Sequence, residues 1–182
     1  MTPSGIILGY HGCGAEVAER VATGKDELNP SRNGHDWLGE GVYFWVYDPR
    51  RAMEWATKPT GKPAVVGGII NLGRCLNLVE REAVEEVATA YKHLKEFTER
   101  AGAVMPRNKK GANILDNRVI EYLHLLRERK NQPAYDTVMG YFAEGLPIYD
   151  GAELRHQNHL QVCVRNPESI TGYFLPKAKG RL

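Results

Sequence analysis

Only three cysteines, Cys13, Cys75 and Cys163, occur in the 182-residue chain, odd in number, widely spaced and without a Cys-x-x-Cys pair. That pattern suggests neither a disulfide framework nor a zinc knuckle, and it makes a reducing cytoplasm the expected compartment. Long apolar runs are missing too. The longest, Ala64 to Ile70, falls far short of the roughly 20 residues that cross a bilayer, so no membrane partner is expected. No basic residue precedes the short apolar run behind the N-terminus, and no secretory leader is expected. Internal repeats and low-complexity segments are absent. With 42% hydrophobic, 25% charged and 9% aromatic residues, the composition is that of a globular protein and excludes a disordered, collagenous or coiled-coil chain. One domain over residues 1–182 is the reading its length supports.

The net charge is only +2, but it is unevenly spread. Glu80 to Glu99 carries six acids against three bases, whereas Arg107 to Lys130 carries seven bases against three acids. Lys177, Lys179 and Arg181 add a basic tail. An anionic partner and an ordinary solvated helix face both fit this pattern.

Periodicity gives the elements. Gly5 to His11 and Gly41 to Tyr47 read as strands, the first ending at Gly12 and Gly14 and the second dense in aromatic and β-branched residues. Ala15 to Thr23 has helical spacing and is closed by Gly24. Lys25 to Gly39, rich in Asn, Pro, Ser, Gly and Asp, reads as a loop. Asp48 with Pro49 starts a helix running to about Lys58. Ala64 to Leu72 is a strand in which Gly67 and Gly68 mark a bulge or a close approach. Helices over Arg81 to Ala101 and Ile114 to Lys130 are followed by strands over Tyr135 to Phe142, His159 to Arg165 and Ile170 to Leu175. Strands at both ends with helices between predict an α+β fold.

Three strand-borne pieces carry chemistry: His11-Gly12, the run Asp36-Trp37-Leu38-Gly39-Glu40-Gly41-Val42-Tyr43-Phe44-Trp45 followed by Arg51-Ala52 and Trp55-Ala56, and Gln161. In this order they resemble the ADP-ribosyltransferase superfamily of the diphtheria-toxin and poly(ADP-ribose) polymerase type, and the resemblance spans the chain from His11 to Glu168. It implies two packed antiparallel sheets forming a split β-sheet core, with a central NAD cleft and flanking helices. It also implies transfer of ADP-ribose from NAD, the substrate, to a macromolecular acceptor. His11, Gly12, Tyr43, Trp55 and Gln161 then bind NAD, with His11, Tyr43 and Gln161 as a triad. The residue types suit these roles. Tyr43 and Trp55 offer aromatic walls to a nicotinamide ring, Gly12 lets backbone approach its carboxamide, and His11 offers a ring nitrogen to ribose.

Two departures stand out. Cys13 follows His-Gly where the family often has Ser or Thr. Gln161 stands where its triad has Glu; an amide can bond a ribose hydroxyl but cannot act as a base. His159, two residues earlier on the same strand face, is the expected acceptor-side base, and Glu153 is the next candidate for the catalytic role should Gln161 not carry it. A zinc site from His156, His159 and Cys163 is disfavoured by the lack of a second ligand cluster. The family places its acceptor loop just before the last triad strand, here Gly145 to Asn158. Tyr149, Arg155, His156 and Asn158 in it suit a nucleic-acid base and phosphate, so RNA or DNA is the favoured acceptor and protein the next. A small transferase of this kind fits a toxin, with an antitoxin protein as partner. The rivals are a catalytically silent module that binds NAD, ADP-ribose or nucleic acid, and a simple NAD glycohydrolase.

Overall fold

The structure is a computed structural model that describes residues 5–56, 62–109 and 111–177. β-Branched and small residues carry β1 through Ile6–Gly14, so Gly12 lies inside the strand and Gly14 ends it. Helix α1 (Ala15–Ala22) follows, then β2 (Val42–Val46), α2 (Pro49–Ala56), β3 (Pro63–Asn71), a three-residue β4 (Cys75–Asn77), α3 (Arg81–Arg100), α4 (Ile114–Arg129), β5 (Thr137–Phe142), β6 (His159–Val164) and β7 (Ile170–Phe174). β4 is absent from the sequence reading, because three residues are too few to set up an alternation. The expected end of α2 near Lys58, and Lys110, Lys179 and Arg181 of the basic segments, lie outside the described residues.

The strands form one seven-stranded sheet in the order β4-β5-β6-β2-β1-β3-β7, antiparallel except for the parallel pair β4 and β5. The expectation of two packed sheets is thereby corrected: both halves belong to one sheet, and β1 joins them. β1 pairs with β3 over nine residues but with β2 only at Gly9 opposite Val46 and Tyr10 opposite Trp45. Beyond Tyr10 the two strands part.

Strand alternation sends Phe44, Val46, Val66, Ile70, Val162 and Val164 to one face, where Ala18 and Val21 of α1 cover them. The opposite face is covered twice. Ala52 of α2 packs on Trp45 and Val65, while α3 and α4 pack on Leu76, Val138 and Cys163. At Gly67 the space a Cβ would fill holds the ring of Phe174, which accounts for the glycine in mid-strand.

Candidate functional site

The parting of β1 and β2 has a local cause. The Tyr47 N–H donates to the Leu8 carbonyl, so on β1 the backbone groups of Leu8, Tyr10 and Gly12 address β2, and on β2 those of Trp45 and Tyr43 address β1. A continued ladder would set Gly12 opposite Tyr43. Instead the His11 side chain enters, its Nδ1–H donating to the Tyr43 carbonyl at 2.8 Å. The imidazole satisfies that carbonyl, and the Gly12 N–H and C=O are left facing the split. With Nδ1 as donor, Nε2 carries the lone pair. Burial pushes the His11 pKa below the ordinary value, against the opposing pull of the Tyr43 carbonyl, and keeps the ring neutral at pH 7. On its outer side Gly12 meets α2: a Cβ there would collide with the Ala52 carbonyl. Its glycine is therefore required by packing as well as by access.

A cavity of about 390 Å³ opens on the split. It is lined by His11, Tyr43, Trp45, Trp55 and Gln161, by the 29–37 loop through Asn29, Ser31, Asn33, Asp36 and Trp37, and by Phe142 and Glu144 at the end of β5. Four of the five predicted NAD contacts line it, and the fifth, Gly12, adjoins His11. Trp55, 47% exposed, sits at the mouth, its ring 5.8 Å from that of buried Trp45. The Trp45 Nε1–H is buried without a partner among the described residues, an unspent donor in the cavity wall.

Tyr43 is held at its hydroxyl, which donates to the Gly39 carbonyl at 2.7 Å and accepts from the Leu38 N–H at 3.1 Å. Burial, with Cys163 and Asp36 nearby, pushes the phenol far above its usual range, so the hydroxyl keeps its proton at neutral pH. The turn it holds is clamped from behind. Gly39 has φ 85°, a conformation that favours glycine, and its missing Cβ makes room for the Glu121 carboxylate and Arg165. Glu121 pairs with Arg165 at 2.6 Å and accepts from the Glu40 N–H, while Arg165 donates to the Glu40 carbonyl. Burial opposes ionisation of Glu121, but these bonds outweigh it and its pKa falls.

Gln161 faces the cavity from β6, opposite Trp45. Its Oε1 accepts from Trp37 Nε1 at 3.3 Å, and Trp37 in turn lies over Gly140, where a Cβ would meet its ring. The amide is thus oriented by a residue to which sequence reasoning assigns no role beyond its motif.

The acceptor-side residues are dispersed. His159 shares a strand face with Gln161, as alternation requires, but it is only 7% exposed, stacked on Phe142, with Nδ1–H donating to the Gln157 carbonyl. It does not line the cavity. Residues 145–157 form a small hairpin, closed by the Ile148 N–H to Leu154 and His156 N–H to Leu146 bonds. Tyr149 is exposed on it, Arg155 donates to the Gly145 carbonyl, and Asn158 is turned inward with Oδ1 buried and unpartnered among the described residues. Glu153 is exposed and lines neither this cavity nor its neighbour. That neighbour, of about 500 Å³, lies between α2 and the hairpin and is lined by Arg50, Arg51, Glu54, His156 and Gln157 among others. No group of three His, Cys, Asp or Glu side chains among the described residues is placed to hold a metal ion, and no helix among them is long and apolar enough to cross a membrane.

Sequence reasoning missed Trp37, Trp45, Asp36 and Glu144 as cavity residues. Only the density of Asn, Ser and Asp in the 29–36 segment hinted at a polar wall. Comparison of the chain with protein-family models, with curated proteins and with solved structures finds no match.

Proposed function

We propose that the cavity takes the nicotinamide end of NAD as substrate and that the chain is an NAD-dependent mono-ADP-ribosyltransferase. The observation that carries the reading is the slot walled by Tyr43, Trp45 and Trp55, with the His11 imidazole bonded to the Tyr43 carbonyl where a continued ladder would have set Gly12. A carboxamide presents one donor and one acceptor group, the complement of a backbone N–H and C=O on one strand edge. The ring itself fits between Tyr43 and Trp55, and the volume is that of a small-ligand site. His11 Nε2 accepts a hydrogen bond from a ribose hydroxyl. The Gln161 amide, held by Trp37, gives a second hydrogen bond to the ribose and fixes the C1′ carbon toward an acceptor. Held in this way, the C1′–nitrogen bond breaks with nicotinamide leaving neutral, and positioning with exclusion of water supplies much of the acceleration.

Nucleic acid is the favoured acceptor. The hairpin beside the cavity exposes Tyr149 for stacking, and Arg50 and His156 at the neighbouring cavity suit a phosphate. Incubation with labelled NAD tests the reading. Nicotinamide release with label entering single-stranded RNA or DNA, at a yield that falls with salt, is the expected result. Label in protein alone moves the acceptor. Tight binding without release makes the chain a silent module, an outcome favoured by the amide at position 161, and free ADP-ribose alone makes it a glycohydrolase. No binding of NAD removes the proposal.

A further inference from the structure

Gln161 cannot accept a proton at neutral pH and His11 Nε2 is given to the ribose in the reading above, so the carboxylates around the cavity are the candidates to take an acceptor's proton. Among the described residues two line it, Asp36 and Glu144. Asp36 is tied into its loop: Oδ2 accepts from the Ser31 hydroxyl, and its backbone carbonyl accepts from Asn117 Nδ2. Glu144 differs. It stands where the hairpin leaves β5, and its own carbonyl accepts from the Gln157 N–H, which anchors the backbone at the hairpin's base. Its Oε2 accepts from Arg51 Nη2 at 2.5 Å, and Oε1 takes no hydrogen bond among the described residues. Arg51 lines the neighbouring cavity while Glu144 lines the main one. Their ion pair therefore stands in the wall between the two.

We propose that the cavity between α2 and the hairpin admits the acceptor, and that Glu144 is the catalytic base of the transfer. The inference rests on the NAD reading above. The attacking O–H or N–H of the acceptor forms the new bond to C1′. The electron pair of the C1′–nitrogen bond leaves with nicotinamide, and the acceptor's proton passes to Glu144 Oε1 and from there to water. Arg51 is a positioning residue that fixes the carboxylate by its other oxygen.

The test measures transfer from labelled NAD, with a mixed-sequence single-stranded RNA oligonucleotide in one arm and total protein extract in the other. Glu144→Gln should still bind NAD in a titration and lose transfer by about 100-fold. Glu144→Ala should recover part of the rate when formate is added, a recovery that a purely structural role would not produce. Glu144→Gln or Glu144→Ala transferring within about threefold of the parent overturns the proposal. Should Glu144→Gln fail to fold by circular dichroism, Glu144→Asp decides. It keeps the charge but shortens the reach; a loss of about tenfold supports the base and the parental rate overturns it. A parent that neither binds nor cleaves NAD overturns the NAD reading and this one with it. A parent that transfers, beside variants that transfer equally well, overturns this one alone.

Discussion

At the scale of single residues, His11 bonds across the split, Tyr43 holds the 38–39 turn, and both line the cavity. His11→Ala leaves the Tyr43 carbonyl without its donor, and a loss of about 1–3 kcal/mol in urea unfolding is expected. His11→Asn can supply a side-chain N–H at a similar place and should lose less. If the two variants are equally unstable, the bond to Tyr43 is not what the imidazole contributes. Tyr43→Phe removes one donor and one acceptor from the 38–39 turn but keeps the ring, so stability should fall by about 1–2 kcal/mol. NAD affinity should fall far less than in Tyr43→Ala, where the ring face is lost; titration of both variants separates the two roles. The identity of these residues was legible because His-Gly at a strand end and a glycine-flanked aromatic strand are unusual local patterns. Their hydrogen bonds were not, since each runs to a backbone group whose position depends on how two distant strands diverge.

At the scale of elements, the contact of α2 with β1 sets the shape of the slot. Gly12→Ala thrusts a methyl into the Ala52 carbonyl, and α2 must shift, carrying Trp55 away from Trp45. A destabilisation of about 1–3 kcal/mol is expected, together with weaker NAD binding, read in one titration and one melt. The sequence predicted where most helices and strands lie, because helical and strand periods differ and Gly, Pro and Asp mark the ends. It did not reveal that β1 belongs to both halves of one sheet. Register between residues 10 and 45, or 43 and 163, is a long-range match that no local window contains. The same limit hid Glu144 and Trp37, which enter the cavity through the turns that carry them and not through any spacing from Gln161.

Across the whole molecule, acid should loosen the fold from the α4 side. Burial, with Arg165 nearby, pushes the His124 pKa down to about 4. As pH falls below about 6.5, the unfolded chain takes a proton that the folded chain refuses until about pH 4, so stability is full above that window and is lost through it. The loss amounts to about 3 kcal/mol. Half-buried His11 adds a loss of the same sign. His124→Gln should flatten most of the decline between pH 7 and pH 4 in urea unfolding; an unchanged slope would assign it elsewhere. The three tryptophans of the chain, Trp37, Trp45 and Trp55, all line the main cavity. Intrinsic tryptophan emission from this protein is therefore a signal from that cavity alone. A ligand that fills it should quench the fluorescence without any label, and emission from the unliganded protein should follow the opening of the cavity during unfolding while being blind to loosening confined to α3.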